Sequence, residues 1–190
     1  MRPASAVWAT AARSESGAAF GDPASAGTND SVVALVGAYG KTQTVTATLR
    51  RGATTGGEEA EIHVRLSFNA TQIFSYEIDI VGSSVVIVKW TGNQGSIFNL
   101  PYTNGTNGFC VGNVIPVNGD VFVVAITGDA TLSTITVRQN GTLIAQADDS
   151  AAISGTAAYI VGNPGLGWDV GASGSYNQLG WDSFRVVTSP

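Results

Sequence analysis

The residues best suited to chemistry lie on two strands in which apolar and polar residues alternate. In residues 74 to 81, Glu77 and Asp79 fall on the polar side of a two-residue period, so both carboxylates point to one face of a sheet. The preceding predicted strand places His63 and Arg65 on its own polar side. In a hairpin, paired residue numbers that sum to 142 put Arg65 opposite Glu77 and His63 opposite Asp79. This face is predicted to be a cross-strand charge ladder or a ligand-facing polar groove, and both can hold together because charges in a groove need partners when no ligand is bound.

Aromatic rings beside these carboxylates would complete a carbohydrate site, because a sugar offers apolar C–H faces as well as hydroxyls. Trp168 and Tyr176 stand in the glycine-rich stretch from 162 to 180, which we predict to be an exposed loop. Trp90 is a further candidate, although we expect Trp90 and Trp181 to lie in the core. The predicted glycan-binding residues are Glu77, Asp79, His63, Arg65, Trp168 and Tyr176.

His63 is the only histidine of the chain. No second histidine or suitable serine accompanies it and Cys110 is the only cysteine, so the sequence offers no partners for a catalytic triad or a zinc site. A base for a lyase-type reaction is a further interpretation, with Arg65 and Tyr76 as the other members, but Tyr76 falls on the apolar side of its strand. The pattern favours a solvated or hydrogen-bonded strand residue at His63.

Composition narrows the class of protein. The chain has 190 residues, enough for one domain with a core between two layers, and only 12% of them are charged, against roughly 25% in ordinary globular domains. The net charge of −5 gives no basis for nucleic acid or an anionic membrane as partner, since both need clustered Lys and Arg. No apolar run is long enough for a transmembrane helix, no signal peptide is visible at the N-terminus, and a single cysteine excludes an intrachain disulfide.

Short strands separated by turns predict an all-β fold, an antiparallel β-sandwich. The two-residue turn Asn140-Gly141 gives the clearest hairpin signal, and no helical period is present. We expect an N-terminal arm over residues 1–30 and one sandwich domain over residues 31–190. The predicted strands cover residues 31–36, 43–50, 61–68, 74–81, 84–90, 121–127, 133–139, 142–146, 157–161 and 181–187.

Several segments together resemble a known superfamily. They are residues 76–80, 86–90, 118–120, 134–141 and 181–186. In order and spacing they resemble the concanavalin A-like lectin/glucanase superfamily of laminin-G-like jelly rolls. The resemblance implies a concanavalin A-like jelly roll over roughly residues 31 to 188.

The same resemblance bears on catalysis and on metal binding. Family 16-type glucanases carry Glu-x-Asp-x-x-Glu on a central strand, where the last glutamate is the acid/base. Glu77 and Asp79 match this motif, but Gly82 stands at the acid/base position, and retaining hydrolysis needs both carboxyls. We therefore expect no enzyme. Relatives often place a calcium-binding aspartate near the start of the last strand, which implies a structural calcium at Asp182.

Two non-enzymatic roles remain. The favoured prediction is a lectin-like surface subunit of a phage or virus particle, of the decoration or fibre type, which also binds glycans and contacts neighbouring subunits through residues 1–30. The alternative is a carbohydrate-binding module of an exported glycan-active enzyme or adhesin. A glycoside hydrolase or polysaccharide lyase is less favoured. The expected location is a virion or an extracellular surface.

Overall fold

Two packed sheets form the structure. The computed structural model describes residues 2–3, 13–15, 18–20, 30–52, 59–69, 71–93, 95–103, 110–112, 114–169 and 179–189. In chain order the elements are β1 (Arg2–Pro3), β2 (Arg13–Glu15), β3 (Ala18–Phe20), β4 (Asp30–Ala34), β5 (Thr42–Arg51), β6 (Glu59–Phe68), β7 (Ile73–Val81), β8 (Ser84–Gly92), β9 (Ile97–Asn99), β10 (Cys110–Gly112), β11 (Val121–Gly128), β12 (Ser133–Gln139), β13 (Thr142–Asp149), α1 (Ala151–Ser154), β14 (Asn163–Asp169) and β15 (Leu179–Ser189). Within these ranges no helix has the length and apolar character needed to cross a membrane.

The strands divide into two antiparallel sheets. Sheet A has the order β1-β4-β14-β6-β7-β8-β10, with β9 also paired to β8, and sheet B has the order β13-β12-β11-β5-β15-β3-β2. All pairings among the described strands are antiparallel. The predicted all-β antiparallel sandwich is therefore confirmed.

The core lies between the sheets, where alternate residues of each strand point inward. Its fully buried side chains include Val45, Ala47, Leu49, Ile62, Val64, Ile78, Phe122, Val124 and Ile126. Full burial of a Val, Leu, Ile or Phe side chain contributes about 1.5–3 kcal/mol, so this layer supplies most of the stabilisation. Trp181 is 2% exposed and belongs to this core, as its sequence context predicted.

Turn chemistry explains the register of the clearest hairpin. Asn140 and Gly141 have φ angles of 50° and 84° between β12 and β13. A two-residue hairpin turn needs left-handed backbone at both positions, which Asn and Gly adopt at low cost. The hairpin predicted at this dipeptide is present.

Two local predictions near the C-terminus are wrong. Residues 157–161 do not form a strand, but follow α1 as irregular chain. Instead, residues 163–169 form β14, which lies in the middle of sheet A between β4 and β6. A strand therefore occupies the start of the stretch that was expected to be a glycine-rich loop.

Buried polar side chains link the two sheets beside α1. Lys89 Nζ on β8 lies 2.7 Å from the Asp149 carboxylate on β13, and both side chains are fully buried. The hydroxyl groups of Tyr76 and Ser154 each donate to this carboxylate at 2.5 Å. Burial raises the pKa of Tyr76 well above its ordinary value, so the phenol keeps its proton. We call Lys89, Asp149, Tyr76 and Ser154 the end cluster.

A β-bulge in β6 changes the predicted hairpin register. His63 pairs with Glu77 and Glu61 with Asp79, and the register shifts between Val64 and Ser67. Arg65 lies in the bulge with a φ of 52°, a left-handed conformation that is uncommon outside glycine. The predicted pairs of Arg65 with Glu77 and of His63 with Asp79 are therefore wrong.

Candidate functional site

The outer face of sheet A, which is turned away from sheet B, carries most of the predicted polar residues. Ile62 on β6 and Ile78 on β7 point into the core, so their chain neighbours point outward. The outer face therefore brings together Glu61 and His63 of β6 with Ser75, Glu77 and Asp79 of β7. Three of the six predicted glycan-binding residues, His63, Glu77 and Asp79, lie here.

These side chains are hardly exposed. The exposed fraction is 0% for His63, 2% for Glu61, 6% for Glu77 and 8% for Asp79. The predicted face is present, but a ligand can contact its carboxylates only through the small exposed fractions of Glu77 and Asp79. Low exposure also removes the water that would otherwise weaken their interactions with one another.

His63 lies at the centre of a hydrogen-bonded group. Its Nε2 atom is 3.0 Å from Glu61 Oε2 and 3.7 Å from Glu77 Oε2, and its Nδ1 atom is 2.9 Å from Ser75 Oγ. Burial lowers the pKa of His63 to about 3, so the imidazole is neutral at pH 7. Its contact with Glu61 is therefore a hydrogen bond and not an ion pair.

Trp90 of β8 completes this group. The Trp90 indole N–H donates to Glu77 Oε2 at 2.6 Å, and the side chain is 7% exposed. The ring packs on the outer face with Val88, Ile73 and Leu66. Trp90 is thus buried, as expected, but on the outer face instead of in the core between the sheets. An aromatic ring and the three carboxylates of Glu61, Glu77 and Asp79 share one face here, and aromatic rings with carboxylates are the groups that sugar recognition uses.

Gly167 explains how Glu61 and His63 fit under β14. A Cβ atom at this position would lie 1.9 Å from Glu61 Oε2 and 2.6 Å from His63 Nε2. Gly167 pairs with Glu61 in the sheet, and only a residue without a side chain leaves room for the carboxylate. This glycine is part of the site.

Trp168 is not a surface residue. It alternates with Gly167 on β14, so it points to the opposite face, where it is fully buried in the core. The prediction of an exposed, glycan-binding Trp168 is wrong, because the glycines around it belong to a strand and not to a loop. Tyr176 lies outside the described residues.

Arg65 is also absent from the outer face. Its guanidinium donates to Ser133 Oγ at 2.7 Å and to the carbonyl oxygen of Tyr159, and its Nε donates to the Lys41 carbonyl at 2.7 Å. Tyr76 points inward to the end cluster. The structure thus separates His63 from Arg65 and Tyr76, the other two members of the set that the lyase interpretation requires.

Two other predicted positions lie away from this face. Gly82, at the acid/base position of the glucanase motif, sits in the turn after β7 with a φ of 55°. Asp182 on β15 is exposed and pairs with Arg50 at 3.3 Å. Neither position adds a ligand or a catalytic group to the outer face.

Sequence reasoning missed Glu61, Ser75 and Gly167 as members of the site. Glu61 and Ser75 carried a usable signal, since each follows the alternation that placed His63 and Glu77 on the polar side. Gly167 carried none, because its role depends on β14 lying beside β6.

Comparison with known proteins defines the fold. No protein-family model matches the chain, and no curated protein sequence matches it. Among solved structures, the carbohydrate-binding module CBM66 from Bacillus subtilis has a TM-score of 0.61 at 13% identity, over 96% of this chain and 93% of that one. The VIP36 exoplasmic/lumenal domain, in its Ca²⁺/Man-bound form, has a TM-score of 0.53 at 8% identity, over 94% of this chain and 80% of that one.

An enzyme is also among the similar structures. The alginate lyase A1-II′, of polysaccharide lyase family 7, has a TM-score of 0.51 at 11% identity, over 94% of this chain and 83% of that one. At such low identities the likeness establishes the architecture alone. The chain has the concanavalin A-like jelly-roll fold, as the resemblance of its sequence predicted.

Proposed function

We propose that the chain is a non-catalytic carbohydrate-binding module of the lectin type. The observation that carries this proposal is the hydrogen bond between Trp90 and Glu77 on the outer face of sheet A, next to Asp79. Carboxylates accept hydrogen bonds from sugar hydroxyls, and an indole ring packs on the C–H faces of a sugar ring. This chain shares its fold with the carbohydrate-binding module CBM66, and that likeness supports the same function.

The chemistry of the site favours binding over catalysis. Hydrolysis with retention needs a second carboxyl as acid/base, and Gly82 supplies none at the position of the motif. A lyase mechanism needs a base and a group that stabilises the developing anion, whereas Arg65 and Tyr76 are both engaged elsewhere. The two catalytic sets considered from the sequence are therefore incomplete on this face, whereas its carboxylates can accept hydrogen bonds from a sugar.

Glycan binding is tested on an array, followed by calorimetry on the strongest glycan. We expect Glu77→Gln to weaken binding about tenfold to hundredfold, because a hydrogen bond to a charged group contributes roughly 1.5–3 kcal/mol. Trp90→Phe should also weaken binding, because it removes the N–H that orients the Glu77 carboxylate. Asp182→Asn is the matched control, since this exposed carboxylate lies on the other sheet. Equal affinity in wild type and both variants, or no glycan retained by the wild type, would overturn the proposal.

The particle-subunit role predicted from the sequence stays a second proposal, as do the virion and extracellular locations. Strands β1, β2 and β3 pair with strands of this same chain, which supports a free module. Light scattering separates the two roles: a module gives the mass of one chain, 19.4 kDa, and a subunit a multiple of it. Deletion of residues 1–30 should destabilise the sandwich of a module, whereas in a subunit it should abolish assembly and leave the sandwich folded.

A further inference from the structure

We propose that Glu61, His63 and Glu77 bind a divalent first-row transition-metal ion, with Zn²⁺ as the representative. The inference goes beyond glycan binding, and its test needs no glycan. One ligand atom from each of the three side chains lies within 4.8 Å of the other two. Imidazole nitrogen and carboxylate oxygen are ordinary zinc ligands, and catalytic zinc sites commonly have three protein ligands.

The distances fit such an ion. With metal–ligand bonds of about 2.0–2.2 Å, tetrahedral geometry separates neighbouring ligand atoms by roughly 3.3–3.6 Å. Nε2 of His63 lies 3.0 Å from the oxygen of Glu61 and 3.7 Å from that of Glu77, so the observed separations bracket this value. Small rotations of two glutamate side chains bring all three atoms to bonding distance.

Outer-shell contacts already orient the ligands. The Nδ1 atom of His63 faces Ser75 Oγ at 2.9 Å, which fixes the ring plane and directs Nε2 toward the carboxylates. The Trp90 indole N–H donates to Glu77 Oε2, the same oxygen that faces His63, and so fixes its position. Metal-binding histidines commonly have such a partner on the second nitrogen, and metal-binding carboxylates are commonly hydrogen-bonded in turn.

The ligand types indicate which metal fits. Calcium prefers six to eight oxygen ligands, and one of the three ligands here is nitrogen. Imidazole with carboxylates suits zinc and its first-row neighbours. Zn²⁺ would replace the Nε2 proton that Glu61 accepts in the metal-free chain, and the imidazole would then carry its proton on Nδ1, beside Ser75 Oγ.

Backbone packing keeps the site compact. The missing side chain at Gly167 allows Glu61 Oε2 to lie against β14, directly beside His63 Nε2. The three ligands come from adjacent strands β6 and β7 in the interior of sheet A, so the scaffold that holds them is rigid.

The experiment is a Zn²⁺ titration of the tag-free chain after EDTA treatment and dialysis, by calorimetry and by ¹⁵N NMR of the imidazole. Since His63 is the only histidine, one pair of nitrogen resonances reports its state. We expect one ion per chain, a large shift of the Nε2 resonance and a smaller shift of Nδ1. Thermal stability should rise with the Zn²⁺ concentration, because the ion binds the folded state.

Variants locate the ion. Ser75→Ala should weaken Zn²⁺ binding about 10–100-fold, as loss of an outer-shell partner does, and Glu61→Gln should weaken it further. Asp182→Asn is the matched control, because this exposed carboxylate lies on the other sheet, and it should leave the affinity unchanged. Circular dichroism checks that each variant is folded.

Two results would overturn the site. One is a wild-type chain that shows neither heat nor an Nε2 shift at millimolar Zn²⁺. The other is unchanged affinity in folded Glu61→Gln. The wild-type NMR titration decides the location by itself if a variant fails to fold. Zn²⁺ binding without glycan binding would support the metal site and refute the proposed function. Glycan binding without Zn²⁺ binding would support the proposed function and refute the metal site.

Discussion

Lys89→Met should lower the free energy of unfolding by about 3–5 kcal/mol, the loss expected when one partner of a buried ion pair is removed. The substitution leaves the Asp149 carboxylate fully buried, with hydroxyl donors but without its cation. It also removes the Lys89 hydrogen bonds to the carbonyl oxygens of Thr156 and Ala157. Urea unfolding followed by tryptophan fluorescence measures the change.

The control for this prediction is Lys41→Met, since Lys41 is exposed and is the only other lysine. Its effect should stay within about 0.5 kcal/mol, as is usual for surface substitutions. The double variant Lys89→Met with Asp149→Leu should be more stable than Lys89→Met alone, because it leaves no unpaired buried charge. A loss below about 1 kcal/mol in Lys89→Met would mean that the pair contributes no more than a surface salt bridge.

The end cluster also shows what alternation in a sequence can reveal. The sequence predicts a strand over residues 84–90, and these residues lie within β8. Lys89 gave no sign of its partner, because Asp149 is distant in the chain and reaches it only across the two sheets. Local periodicity predicts which residues point inward, but the pairing of buried charges depends on sheet-to-sheet packing.

Glycine was the main source of error in the second half of the chain. Gly165 and Gly167 suggested a loop, yet both lie on β14 and alternate with the buried Leu166 and Trp168. A Cβ at Gly165 would lie 2.5 Å from the Val33 carbonyl oxygen. Close approach of neighbouring strands excludes side chains at such positions, and that requirement is visible only after the strands are assembled.

The candidate site was predicted in part. Alternation correctly placed His63, Glu77 and Asp79 on one face, because side-chain direction in a strand depends only on parity. The register failed at Arg65, since a bulge adds one residue without a clear signal in the sequence. Burial of the face was also missed, because exposed fractions depend on the whole fold and not on one hairpin.

Arg65→Met, a substitution within the bulge, should lower the free energy of unfolding by about 3–5 kcal/mol. Arg65 is fully buried, and its side chain links β6 to the chain before β5 and to β12 through the Lys41 carbonyl and Ser133 Oγ. It also donates to the carbonyl oxygens of Gly128 and Tyr159. Each buried acceptor left without a donor costs roughly 1–3 kcal/mol, and partial rearrangement keeps the total below the full sum.

The measurement is again equilibrium unfolding, with Arg185→Met as the control because Arg185 is exposed on β15. Methionine is no better suited than arginine to the left-handed backbone at this position, so the difference reports on the guanidinium and not on backbone strain. Arg65→Lys should recover only part of the stability, since one ammonium group cannot reproduce a planar fork that donates to several separated acceptors. A loss in Arg65→Met as small as that in Arg185→Met would contradict the argument.

The same bulge determines which side chains reach the outer face. Without an extra residue, Val64 and Leu66 would share one face, as residues two apart do in a regular strand. In the structure Val64 lies in the core between the sheets, whereas Leu66 packs on the outer face with Trp90. If Arg65→Met loosens the bulge, the packing around Trp90 should weaken together with the global stability. The Trp90 indole N–H, which donates to Glu77, should then exchange its hydrogen faster as the protein loses stability.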